Sequence, residues 1–240
     1  MNKEKLLYEN SKHALQSDNI IAITNRHLCS RPFMEQLERV CKLHPHAIVL
    51  REKDMPEAEY LSLARDVIAL CKKYDVQCML HSFINVAMEL KHPYIHLPLP
   101  ILEAYVKKNV SGNISTGMSK STDNYQQLFK VIGTSVHSVE DAIKAEQLGA
   151  TYMTAGHIFA TDCKKGLPPR GLDFLKNVCD AVGIPVYAIG GINIASNDDS
   201  TASDAPSASD AMPNISVPRL ADVMECGAAG GCIMSGMMRV

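Results

Sequence analysis

Short, continuously apolar runs alternate with longer amphipathic ones along most of the chain. IIAIT (20–24) precedes PFMEQLERVCKL (32–43), and HAIVLRE (46–52) precedes PEAEYLSLARDVIALCKKY (56–74). QCMLHS (77–82) precedes INVAMEL (84–90), and YIHLP (94–98) precedes PILEAYVKK (100–108). KVIGTSVH (130–137) precedes SVEDAIKAEQLG (138–149), and TYMTAGHI (151–158) precedes LDFLKNVCDAVG (172–183). PVYAIGGI (185–192) precedes PRLADVMECG (218–227), and GGCIMSG (230–236) comes last. The short runs are rich in β-branched residues with no polar face, as for strands buried on both sides. The longer runs carry helical spacing. Ser138, with Asp141 three residues on, predicts a helix start, and Gly149 and Gly227 predict stops.

Alternating strands and helices imply a parallel sheet. Eight strand-like runs at about 27 residues per unit predict a (β/α)8 TIM barrel. A doubly wound open sheet is the alternative, with fewer strands and no phosphate site after strands seven and eight. Residues 1–240 read as a single barrel domain with three irregularities. Residues 109–129 lengthen the connection before strand five. Residues 195–217 form a low-complexity, aspartate-rich insertion after strand seven, too polar to pack a core and expected to be a disordered loop. The short C-terminus leaves no room for a full eighth helix; an N-terminal extension (1–18), helical over 3–17, is expected to cover part of that gap or the barrel bottom.

The chain has 240 residues, a net charge of -2 and a pI of about 6.5, so no broad nucleic-acid or polybasic membrane surface is expected. No apolar run reaches the roughly 18 residues of a membrane span, and the N-terminus lacks a signal-peptide core, which predicts a cytoplasmic protein. The eight cysteines form no C-x-x-C pair and mostly sit in apolar runs, so they read as reduced core thiols.

Barrels of this kind place chemistry at C-terminal strand ends. Those ends carry Arg51 and Lys53, His81-Ser82, Ser135 and His137, His157 with Thr161 and Lys164, Gly190-Gly191, and Ser235-Gly236. The two glycine-containing ends after strands seven and eight form a phosphate-site pattern, because glycine lets backbone N–H groups approach an anion. Lys164, Lys165, Arg51 and Lys53 add positive charge at the same mouth. Imidazole titrates near neutral pH, which suits two-way proton transfer. His137 is the leading acid/base candidate, although His157 and His81 hold similar positions and position alone does not choose among them. Strand ends three and four carry no carboxylate, so no metal site is expected.

VLREK (49–53), SVHS (135–138), GHIFATDCKKG (156–166) and AIGGI (188–192) together resemble the thiamine phosphate synthase/TenI superfamily, over 20–194 and 218–238. Within it, synthases carry Q-x-R-x-K, N-D and G-Q-x-D motifs, in which two aspartates hold magnesium. Here those positions are Val49, His81-Ser82 and Ile101; only Arg51 and Lys53 remain. The chain is more similar to the thiazole tautomerase (TenI) branch, which has His157 and the T-D-C-K-K-G tail. That resemblance implies isomerisation of a thiazole carboxylate phosphate to its aromatic form, without a cofactor. His137 would be the acid/base; Gly190, Gly191, Ser235 and Gly236, with Lys164, would hold the phosphate. Arg51, Lys53, Ser135, His157 and Thr161 would complete the substrate site. Thiamine phosphate synthase, which would require magnesium, is the alternative, and a non-catalytic thiazole-phosphate-binding regulator the third reading. The partner is a small phosphorylated thiazole, with no nucleic acid or membrane; self-association is left open by the uncovered barrel side.

Overall fold

The computed structural model describes residues 19–114, 129–161, 164, 166–195 and 216–240. The expected N-terminal helix over 3–17, Cys163 and nearly all of the 195–217 insertion lie outside these residues. Eight parallel strands close into a barrel in chain order, β1 through β8, with β1 pairing to both β2 and β8. They are β1 (Ile20–Ile23), β2 (Ala47–Leu50), β3 (Gln77–His81), β4 (Tyr94–Pro98), β5 (Val131–Val136), β6 (Tyr152–Gly156), β7 (Val186–Ile189) and β8 (Gly230–Ile233). The helices between them are α1 (Phe33–Lys42), α2 (Glu57–Lys73), α3 (Ile84–Glu89), α4 (Leu99–Ile114), α5 (Val139–Gln147), α6 (Gly171–Ala181) and α7 (Leu220–Glu225). The TIM-barrel expectation therefore stands. The connection expected from residue 109 begins later, because α4 runs on through Ile114.

The alternation of side chains along each strand splits the core in two. Ile21, Ile23, Ala47, Val49, Met79, Tyr152, Tyr187 and Cys232 form the barrel interior. Ile20, Ala22, Ile48, Leu50, Cys78, Leu80, Ile95 and Leu97 face the helices and pack against residues such as Leu37, Val40, Tyr60 and Val67. Both faces being buried is why these strands read as unbroken apolar runs. The cysteines in the described residues are free, and Cys41, Cys71, Cys78 and Cys232 are buried, as expected of core thiols.

Local signals act as their chemistry dictates. Ser138 Oγ accepts the Asp141 N–H at 3.0 Å and caps α5, fixing the chain immediately after β5. Gly149 and Gly227 adopt φ of +87° and +92° just past α5 and α7, the left-handed stop that glycine tolerates. After β8, residues 234–240 form turns rather than a helix. Met237 and Met238 are buried, and buried Gln36 of α1 donates to the carbonyls of Met237 (2.8 Å) and Val240 (3.0 Å). Among the described residues no helix is long and apolar enough to cross a membrane.

Candidate active site

His137 stands one residue past β5, exposed at the mouth. Its backbone N–H reaches Asp141 Oδ2 at 3.3 Å, so the capped first turn of α5 also holds the histidine backbone. Its Nδ1 lies 3.2 Å from the Gly156 carbonyl oxygen at the end of β6. A carbonyl can only accept, so in the neutral ring Nδ1 carries the proton and Nε2 keeps the lone pair. The neutral imidazole thus keeps Nε2 as an unprotonated nitrogen. A Cβ on Gly156 would sit 3.0 Å from Ile189 Cγ2, which would have to give slightly, and in ordinary contact with His137 Cε1 at 3.6 Å.

Deeper in the barrel lies a polar network. Tyr152 Oη meets His96 Nδ1 at 2.8 Å, His96 Nε2 meets Ser135 Oγ at 2.9 Å, and Thr154 Oγ1 donates to Ser135 Oγ at 3.0 Å. The His81 and His96 rings stack with centroids 5.6 Å apart, and His81 Nδ1 meets Ser82 Oγ at 2.8 Å. Burial pushes His81 down to about 2 and His96 down to about 3; the neighbouring cations Arg51 and Lys53 push both in the same direction. Both rings are therefore neutral near pH 7. Burial, then Arg51, lowers Lys53. The β2 end supplies a positive field over this part of the mouth, suited to an anionic group.

A third group of residues surrounds a cavity of about 840 Å³ beside the ends of β6, β7 and β8. Of the expected phosphate residues, Lys164, Gly191 and Ser235 line it, together with Thr161 of the expected substrate site and Asn193, Arg219 and Arg239. Among the described residues, none that lines it carries a carboxylate. Gly191 has φ +69°, and a Cβ there would fall 2.5 Å from the Ala160 carbonyl oxygen; only glycine fits. Gly190 and Gly236 shape the site from behind: a Cβ on Gly190 would lie 3.1 Å from His157 Cα, and one on Gly236 3.2 Å from Ile194 N. Arg219 donates to the Gly191 carbonyl at 2.9 Å and lies 4.6 Å over the Phe159 ring, which fixes its guanidinium at the cavity. His157 is buried, and its Nε2 has no hydrogen-bond partner among the described residues. Burial, then Lys164 and Arg170, lowers its pKa, which favours the neutral ring.

Residues 20–209 match the family described as thiamine monophosphate synthase. The chain belongs to the thiamine monophosphate synthase family. It is 34% identical over 178 residues to a protein of Aquifex aeolicus named "Putative thiamine-phosphate synthase 2", covering 74% of this chain and 87% of that one. It is 30% identical over 175 residues to a thiamine-phosphate synthase of Caldanaerobacter subterraneus, covering 72% and 75%. A solved thiamine phosphate pyrophosphorylase from Pyrococcus furiosus shares the fold, with TM-score 0.63 and 24% identity over 92% of this chain and 88% of that one. These relatives carry synthase names, which favours the transferase alternative over the isomerase expected first.

The synthase motifs of the family can be tested for magnesium. Of the two magnesium-aspartate positions, one is Ser82, whose hydroxyl lies 2.8 Å from His81 Nδ1, and the other is Ile101, an apolar residue on α4. Magnesium takes oxygen ligands, usually carboxylates. A neutral hydroxyl and an aliphatic side chain do not fit it, and among the described residues no cluster of three His, Cys, Asp or Glu could hold a metal ion.

By their contacts, the expected site residues fall into the His137 position, the Ser135 network, the Arg51–Lys53 edge and the cavity beside β6, β7 and β8. Sequence reasoning missed His96, Tyr152, Thr154, Arg219, Asn193 and Arg239. For the first three the signal existed: polar or aromatic residues at the inward, alternate positions of YIHLP and TYMTAG. For Arg219 it did not, because its partners come from loops distant in the chain.

Proposed function

We propose that this family member acts in thiamine biosynthesis on a phosphorylated thiazole, as an isomerase that shifts a proton to give the aromatic ring. The observation that carries this reading is the His137 imidazole, held through Nδ1 by the Gly156 carbonyl with Nε2 left as a base. In such a mechanism the phosphate enters the cavity of Gly191, Ser235, Lys164 and Arg219, where backbone and cations offset its charge. The ring then projects toward the barrel axis. Nε2 removes a proton from the ring carbon, and the imidazolium returns it to another atom of the same ring. One group serves as base and then acid, so no net proton or electron is exchanged with a cofactor. The Arg51–Lys53 edge would receive the substrate carboxylate.

The experiment is His137→Gln, which keeps size and polarity but cannot cycle a proton. Turnover of the thiazole synthase product should fall by about 10²–10⁴, while binding of the thiazole phosphate changes little. Near wild-type turnover would remove His137 from the role.

A second reading is the synthase, joining hydroxymethylpyrimidine pyrophosphate to thiazole phosphate. The names of the relatives favour it. Against it stands the donor set at the family's magnesium positions, which contains no carboxylate. Magnesium-dependent release of pyrophosphate by the purified protein would establish it.

A further inference from the structure

His96, Gly133 and Tyr152 stand on one level of three adjacent strands, since His96 pairs with Gly133 and Gly133 with Tyr152. A side chain at the middle position is impossible: a Cβ on Gly133 would fall 2.2 Å from Tyr152 Cζ. The glycine thus lets the tyrosine ring cross one strand and place its hydroxyl on His96 Nδ1. Tyr152 and His96 are buried, and Tyr152 has no other hydrogen-bond partner among the described residues. A buried phenol that accepted from Nδ1–H would leave its own proton orphaned, so Tyr152 donates and Nδ1 accepts. His96 is neutral, so its single proton lies on Nε2 and is donated to Ser135 Oγ. Thr154 Oγ1 lies 3.0 Å from the same oxygen; it is buried with no other partner among the described residues, so its proton would be orphaned unless it donates to Ser135. Both lone pairs of Ser135 are then occupied. Its own proton has no acceptor left within the network, and Ser135 is only half-buried, at the end of β5.

We infer that Tyr152, His96 and Thr154 are positioning residues that fix the Ser135 hydroxyl as a donor aimed at an acceptor atom of the bound ligand's ring. The hydrogen-bond order stands on the geometry alone; its effect on turnover rests on the isomerase reading above. With all the network's other protons committed, Ser135 cannot rotate to satisfy itself internally, and its dipole is oriented before the ligand arrives.

The first test is independent of any activity. The ¹⁵N resonances of the His96 ring in the wild-type protein should report Nε2 protonated and Nδ1 bare; Nδ1 protonated would overturn the proposal. The second is a double-mutant cycle on Tyr152 and Ser135, read by turnover of the thiazole synthase product. Tyr152→Phe keeps the ring but frees His96 to carry its proton on Nδ1 and accept from Ser135, turning that hydroxyl inward. It should lower kcat about tenfold and KM by less than about twofold. In a Ser135→Ala background the same change should cost nothing further. Multiplicative losses would show that Tyr152 acts only through packing. Thr154→Val gives a second, smaller version of the same cycle should Tyr152→Phe fold poorly. If the wild-type protein shows no isomerase turnover, the cycle is read on the Kd of thiazole phosphate instead. That outcome separates failure of the function from failure of the network.

Discussion

At the scale of single residues, the site is an exercise in assigning protons. The Gly156 carbonyl settles the His137 tautomer, and the Tyr152 phenol settles that of His96. Arg219 belongs to the same scale. It is tied down by one carbonyl and one aromatic face, which leaves its remaining N–H groups for an anion. Arg219→Gln should weaken thiazole phosphate binding by roughly tenfold, with a flatter dependence on salt than the wild type, since an exposed cation is screened. Titration calorimetry at two ionic strengths checks this. Equal affinity in both proteins would take Arg219 out of the phosphate site.

At the scale of elements, short signals decide how chemistry is presented. The Ser138 cap both starts α5 and holds the backbone beside His137. Ser138→Ala should cost about 1 kcal/mol of stability and show as a lower melting temperature. Gly191→Ala combines a left-handed φ with a carbonyl contact at 2.5 Å, so it should lower the melting temperature and, by displacing the turn, weaken phosphate binding as well. A binding isotherm beside a melting curve distinguishes the two effects. This is also the scale at which sequence and structure agree best. Runs such as YIHLP and PVYAI, and the glycines at 149 and 227, carry their element in their own composition. The site is less legible because its parts come from different strands: His96 reaches Ser135 across a register that no local pattern states. Gly133 looks like a weak point in a strand until Tyr152 is seen lying over it.

At the scale of the whole molecule, the barrel interior stores neutral imidazoles that the unfolded chain would charge. His81 and His96, pushed to about 2 and 3 by burial, stay unprotonated in the folded state well below the ordinary histidine value. Between about pH 6.5 and 3 the unfolded chain binds protons that the folded chain does not, so stability falls as pH falls. Each such histidine contributes about 1.4 kcal/mol per pH unit within that window. Denaturant melts between pH 6.5 and 5.5, above the carboxylate range, should show the loss. Replacing His96 with Gln should reduce the slope by about one proton. A pH-independent midpoint would mean that the inner histidines are solvated and would undo the network as described.

In the isomerase reading proposed above, the barrel moves a proton on a phosphorylated thiazole rather than joining two heterocycles. The most direct test of that reading is a paired assay of the purified full chain. One reaction holds the thiazole synthase product and is followed by ultraviolet absorbance for aromatisation. The other holds hydroxymethylpyrimidine pyrophosphate, thiazole phosphate and magnesium, and is followed for thiamine phosphate. The expected result is aromatisation that is lost in His137→Gln, with no thiamine phosphate formed. Thiamine phosphate in the second reaction, with no aromatisation in the first, would contradict it.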